Sequence, residues 1–91
     1  MNDDELRTLL EELHSKIENT DEVDEEGQEL LNHLSTDIQN LLKRTSHEKP
    51  LRGTPREINR LEESVQHFEV THPSLTAALS QLLNILNNAG I

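Results

Sequence analysis

Apolar residues recur along the chain at helical spacing, in four separate stretches. In the first stretch they fall within an arc of about 100° on a helical wheel. These residues are Leu6, Leu9, Leu10, Leu13 and Ile17. Charged residues fill most of the remaining wheel, so the pattern predicts a surface helix over residues 3–19 with one apolar stripe. Asn2, followed three residues later by Glu5, is typical of a capping box at its start.

The second stretch predicts a helix over residues 22–45. Either Asp21 or Asp24 suits its N-cap, and the earlier start is favoured because Val23 then shares a face with the later apolar residues. These are Leu30, Leu31, Leu34, Ile38, Leu41 and Leu42. Gly27 costs a helix about 1 kcal/mol relative to alanine. It either admits the close approach of another backbone or is a tolerated defect.

Residues 46–54 form the predicted linker, because Pro50 and Gly53 interrupt both helices and strands. Thr54 then predicts an N-cap, with Pro55 at the first helical position and a glutamate completing a capping box. The third helix is predicted over residues 55–70, with Ile58, Leu61, Val65 and Phe68 on one narrow face. Pro73 ends this helix and fits the first turn of the next one.

The last helix, predicted over residues 73–89, is the most apolar and carries no Asp, Glu, Lys or Arg. Its apolar residues span an arc of about 160°. They are Leu75, Ala78, Leu79, Leu82, Leu83, Ile85, Leu86 and Ala89. The opposite side is polar but uncharged, and Gly90 suits a C-terminal cap. Together the stretches predict a single all-α domain over residues 1–91, an antiparallel bundle of two helical hairpins.

Composition adds the expectation of self-association. Hydrophobic residues make up 32 % of the 91 residues, and Phe68 is the only aromatic, so a monomer is expected to be marginally stable. We expect a homo-oligomer, most simply a dimer, because burying a further apolar face offsets a small core. The predicted interface is the apolar face of the last helix: Leu75, Leu79, Leu82, Leu83 and Leu86. In this hypothesis Leu79, Leu82 and Leu86 carry the association of a non-enzymatic scaffold or adaptor.

Several other functions are disfavoured by absent sequence features. The chain has no Cys, and no nucleophile elbow, phosphate-binding glycine loop or metalloprotease motif. Adjacent acids such as Glu11 and Glu12 point about 100° apart on a helix and do not converge on one substrate. We therefore expect no enzyme activity and no cofactor. With no signal-peptide pattern and no long apolar run, we expect a cytoplasmic protein without a membrane partner.

The five histidines raise the possibility of a metal site, since Glu11-x-x-His14 has the spacing of di-iron ligands. His14, however, lies about 80° from the centre of its apolar stripe. His33 and His67 also lie away from apolar faces, so all three are expected to be solvated and no metal is expected. His72 precedes Pro73 at the corner that includes Phe68. There we expect a structural role, with its side chain bonding free backbone groups at a helix end.

The net charge of −10 is unevenly distributed. Residues 1–29 hold 12 acids and 2 bases, whereas residues 30–69 hold 6 of each. The acidic balance argues against nucleic-acid binding. An alternative function follows: residues 3–29 mimic a polyanion and bind a basic partner protein. The locally basic segment 43–60 either grips an anionic partner or is an ordinary solvated linker. Attraction between the two regions can act within one chain or between two copies.

Several short motifs resemble one bacterial family, catalogued as domain of unknown function 4404. They are Phe68-Glu69, His72-Pro73-x-Leu75, Gly90-Ile91, Glu5-Leu6-x-x-Leu9-Leu10-x-x-Leu13-His14 and Val23-Asp24-Glu25. The resemblance covers essentially the whole chain and implies a small, soluble, all-helical protein. It implies no particular activity.

Overall fold

Four α-helices make up the fold. The computed structural model describes residues 3–45 and 53–89, with α1 at Asp3–Glu18, α2 at Glu25–Arg44, α3 at Pro55–Phe68 and α4 at Pro73–Ala89. No strand occurs within these two ranges. The all-α bundle predicted from the sequence is therefore confirmed. The predicted Asn2 cap, the linker over residues 46–52 and the Gly90 cap lie outside the described residues.

The helices form a closed ring in which each one packs against the next and α4 packs against α1. Side-chain contacts fix their directions. Arg7, near the start of α1, donates to Thr45 at the end of α2, and Lys16, near the end of α1, donates to Ser74 at the start of α4. Both pairs of helices are therefore antiparallel. This up-and-down arrangement is the expected result of short connections between consecutive helices.

The core lies along the centre of this ring and receives one apolar face from each helix. Its most deeply buried members, each no more than 2 % exposed, are Leu10, Leu13, Leu31, Leu34, Ile38, Leu41, Leu61, Phe68, Leu79, Leu82 and Leu86. Fully burying such a side chain contributes roughly 1.5–3 kcal/mol. The helical spacing read from the sequence thus corresponds to the buried stripe on every helix.

The start of α2 differs from the predicted one. Asp24, not Asp21, is the N-cap, with extended backbone and a side chain that accepts a hydrogen bond of 2.8 Å from the Gly27 N–H. Val23 still packs against the core, but from the non-helical connection before the helix. The prediction of a start at residue 22 was wrong because it assumed that an apolar residue on the core side had to be helical.

The start of α3 was predicted correctly. Thr54 Oγ1 accepts from the Glu57 N–H at 3.2 Å, and Glu57 Oε1 accepts from the Thr54 N–H at 2.9 Å. Pro55 is the first helical residue. The reciprocal bonds satisfy two backbone donors that a helix start otherwise leaves open.

Gly27 is buried where α2 meets the end of α3. A Cβ placed there would lie 3.2 Å from Cε1 of Phe68, 3.1 Å from Cβ of Val23 and 2.8 Å from Oδ1 of Asp24. The close approach that the sequence left open is therefore made by side chains and not by another backbone.

Exchanging the two candidate caps for alanine tests the start of α2. Asp24→Ala is expected to lower the melting temperature by several degrees, because the helix loses its cap, whereas Asp21→Ala, in the exposed connection, should leave it nearly unchanged. Thermal unfolding followed by circular dichroism measures both. Equal effects of the two substitutions would contradict the assignment of Asp24.

The loss of stability caused by Asp24→Ala should depend on pH. The Gly27 N–H, and next the side chain of His67, hold the pKa of Asp24 below its usual value. The ionised cap therefore stabilises the fold at pH values above the unfolded pKa, and this contribution is lost as the pH falls through the folded pKa. The difference in melting temperature between Asp24→Ala and the wild type should shrink on acidification.

Candidate interaction surfaces

The leucines predicted to form an interface lie inside the single chain. Leu75, Leu79, Leu82 and Leu86 are buried against the other helices, with Leu79 and Leu82 at 0 % exposure, while Leu83 is only partly buried. The burial that the interface hypothesis assigned to a second copy is supplied by the chain itself. These leucines therefore belong to the core, and the apolar face of α4 is not a free surface.

The opposite side of α4 is exposed and uncharged. We call this surface the outer face of α4; its members are Pro73, Ser74, Ala77, Gln81, Asn84, Asn87 and Asn88. Ala77, Gln81, Asn84 and Asn88 follow one another at intervals of four, three and four residues, so they form one stripe along the helix. A charge-free surface of this length stands out on a chain with 26 formal charges.

A second surface is strongly acidic. It comprises the solvent sides of α1, of the connection between α1 and α2 and of the start of α2, and we call it the acidic surface. Eight of its carboxylates are exposed and form no ion pair with the described residues: Glu5, Glu11, Glu12, Asp21, Glu22, Glu25, Glu26 and Glu29. The charge asymmetry of the sequence is thus displayed on the surface.

A third surface is a groove between the end of α2 and the start of α3. Two ion pairs join α2 to α3 in this region: Arg44 with the buried Glu57, and Arg60 with the buried Asp37. Arg60 Nη1 lies 3.0 Å from both carboxylate oxygens of Asp37. Burial raises the pKa of Asp37, and the charge of Arg60 opposes this rise. The arginines largely neutralise the carboxylates that the helices bury at this point.

This groove, which we call the basic groove, has a volume of about 630 Å³. Its walls come from the segment of α2 between Asp37 and Arg44 and from residues 54–57. Lys43 and Arg56 are exposed in these walls and form no ion pair with the described residues. The basic groove therefore keeps surplus positive charge.

The corner between α3 and α4 is a cluster of rings. His72 meets Phe68 edge-on, with ring centroids 5.5 Å apart, and its Nδ1 lies 2.9 Å from the hydroxyl of Thr71. Its backbone carbonyl accepts from the Thr76 N–H in the first turn of α4, which begins at Pro73. The side chain of His72 thus packs on a ring and bonds a hydroxyl, where the sequence had predicted bonds to free backbone groups.

Two other histidines are less solvated than predicted. His67 Nε2 lies 3.0 Å from Oδ1 of Asp24, so this histidine connects α3 to the cap of α2. His14 Nε2 lies 3.3 Å from the side-chain amide of Gln39 on α2. A histidine at the border of an apolar stripe reaches across to the neighbouring helix, a possibility that the wheel angle alone did not reveal. His33, in contrast, is exposed.

Glu11 and His14 have the spacing of metal ligands, but the described residues place no further ligands beside them. Glu11 is exposed, and no group of three or more His, Asp or Glu residues within residues 3–45 and 53–89 is placed to hold a metal ion. The same ranges contain no helix with the length and hydropathy needed to cross a membrane.

The described residues define a small all-α protein, an antiparallel four-helix bundle with one uncharged, one acidic and one basic surface. The chain belongs to the family described as domain of unknown function DUF4404, whose model matches residues 6–91. This confirms the family resemblance read from the short motifs. No curated protein and no solved structure matches the chain.

Proposed function

We propose that this protein is a non-enzymatic interaction module that self-associates through the outer face of α4. The observation that carries the proposal is that this exposed face has no charged side chain along the 17 residues of the helix. Depletion of charge is typical of the centres of protein–protein interfaces. We keep the homo-oligomer expected from the sequence. The contact surface that we propose for it is the exposed side of α4, opposite the buried leucines.

A second copy of the chain suits this face better than a charged partner. Each chain carries a net charge of −10, so two copies repel each other at most orientations. In a symmetric dimer the residues at the two-fold axis meet their own copies. A charged patch at that axis would meet like charge, whereas Gln81 and Asn84 can exchange hydrogen bonds. Two copies that meet through the outer face of α4 therefore experience little electrostatic repulsion at the contact.

The expected association is weak. A helix of 17 residues is about 25 Å long at about 1.5 Å per residue. A contact confined to two such helices buries less than the roughly 1,200 Å² of a standard stable interface. We expect a dimer that dissociates on dilution and tightens with added salt, since salt screens the repulsion between the two acidic chains.

Opposite charges introduced at one position test the twofold contact. Gln81→Glu and Gln81→Lys are each expected to be monomeric, because each places like charges at the axis. An equimolar mixture of the two variants should recover the dimer. Sedimentation with interference optics measures the mass, since a chain without Trp or Tyr absorbs weakly in the near ultraviolet.

Gln28, exposed on α2, provides the matched control. Gln28→Glu and Gln28→Lys make the same chemical changes and should leave the mass of the dimer unchanged. A wild-type protein that is monomeric at every concentration, or a Gln81 variant that keeps the wild-type mass, would overturn the proposal. Unfolding curves of the Gln81 variants serve as a further control and should show a cooperative transition like that of the wild type.

The second candidate function is a polyanion mimic that binds a basic partner protein. It is favoured by the eight exposed carboxylates of the acidic surface that lack ion-pair partners among the described residues. Salt separates the two candidates, because binding between the acidic surface and a basic protein should weaken steeply with ionic strength. Self-association through α4 should respond in the opposite direction.

A further inference from the structure

The basic groove carries two exposed cations that form no ion pair with the described residues. Arg44 and Arg60 are engaged by Glu57 and Asp37, while Lys43 and Arg56 stand exposed in its walls. We propose that the groove binds a short acidic peptide segment of another protein, with Lys43 and Arg56 as the charged contacts. This site is separate from the outer face of α4 and does not depend on self-association.

Two carboxylates of one peptide segment fit the arrangement of the cations. Lys43 comes from the end of α2 and Arg56 from the first turn of α3, so the charges stand on opposite walls. An extended segment with two separated carboxylates can meet both walls, and each carboxylate can accept a charge-assisted hydrogen bond from one of the cations.

A phosphate group fits the groove less well. Phosphate commonly binds free backbone N–H groups at the start of a helix. At the start of α3, Pro55 has no N–H and the Glu57 N–H donates to Thr54 Oγ1. Two of the first three helical positions therefore offer no backbone donor to a phosphate.

Nucleic acid is also disfavoured as the occupant. A long polyanion is repelled by the whole chain, whose net charge is −10, whereas a short segment meets mainly the local charge of the groove. Single strands are usually held by stacking on aromatic side chains. The one aromatic of this sequence, Phe68, is buried in the core.

Titration of the full-length protein with a short glutamate-rich peptide, followed by NMR, tests the site. Shifts should be confined to the end of α2 and the start of α3, and binding should weaken with salt. Lys43→Gln and Arg56→Gln should each weaken binding about fivefold, the upper range for an exposed ion pair. A lysine-rich peptide of the same length should not produce these shifts.

Lys16→Gln is the matched control, since it removes one positive charge on α1, where Lys16 bonds Ser74, and should leave the affinity unchanged. Equal weakening by all three substitutions would mean that only net charge matters and would overturn the site. The proposal would also be overturned if inorganic phosphate displaced the peptide at a concentration below that of the peptide itself. The Gln81→Glu variant should bind the peptide like the wild type, so a failure of the α4 dimer leaves this test intact.

Discussion

Replacing Leu82 by alanine is expected to lower the free energy of unfolding by about 2–5 kcal/mol, the usual range for a buried leucine. Leu82 is at 0 % exposure between the other helices, so the substitution leaves a cavity in the core of the single chain. Leu82→Asp should abolish the helical signal altogether, because it buries an unpaired charge. Chemical denaturation followed by circular dichroism measures the first effect and the native spectrum shows the second.

The concentration dependence of this loss separates core from interface. For a core residue the change in stability is the same at every protein concentration, whereas for an interface residue it depends on concentration. Gln28→Ala, at an exposed position on α2 outside the core and the outer face of α4, is the control and should change stability by less than about 0.5 kcal/mol. A folded, fully helical Leu82→Asp monomer would contradict the assignment of Leu82 to the core and would support a role in an interface.

The periodicity of apolar residues was sufficient to predict the four helices and the side of each that is buried. It could not determine whether α4 buries its leucines within the chain or against a second copy, because both arrangements require the same stripe. That choice depends on whether α1 and α3 close over the stripe. The structure shows that they do, since Leu79, Leu82 and Leu86 are enclosed in the single chain.

Helix starts were predictable where the signals agreed. Thr54, Pro55 and Glu57 form a capping pattern with one interpretation, and the structure has all of it. Asp21 and Asp24 are chemically equivalent caps, so the sequence supplied two starts for α2. With the observed start, Phe68 packs against the first turn of α2 at Gly27, a contact between residues 41 positions apart that a pattern of neighbouring residues does not contain.

The surfaces were the least predictable part of the molecule. The basic segment was visible in the sequence, but the pairing of Arg44 with Glu57 and of Arg60 with Asp37 was not. All four residues lie beside apolar stripes, where charged side chains reach a neighbouring helix. Which cations remain unpaired, and hence where the basic groove lies, follows only from the packing of α2 against α3.

Replacing Phe68 by alanine is the second change with a large expected effect, a loss of about 3–5 kcal/mol. Phe68 is 1 % exposed and meets the rings of His67 and His72 edge-on. For a domain of this size the corresponding fall in melting temperature is roughly 4–8 °C per kcal/mol. Phe68→Leu is the control and should cost less, because it keeps most of the buried volume.

The contact between Phe68 and Gly27 can be isolated with a double-mutant cycle. Gly27→Ala should destabilise the wild type although alanine favours helices by about 1 kcal/mol, because its Cβ meets Asp24, Val23 and the Phe68 ring. In the Phe68→Ala background the ring is absent, so Gly27→Ala should cost less there, whereas Gln28→Ala should have the same effect in both backgrounds. An identical cost of Gly27→Ala in the two backgrounds would show that the ring does not constrain position 27. The requirement for glycine would then arise from Asp24 and Val23 alone.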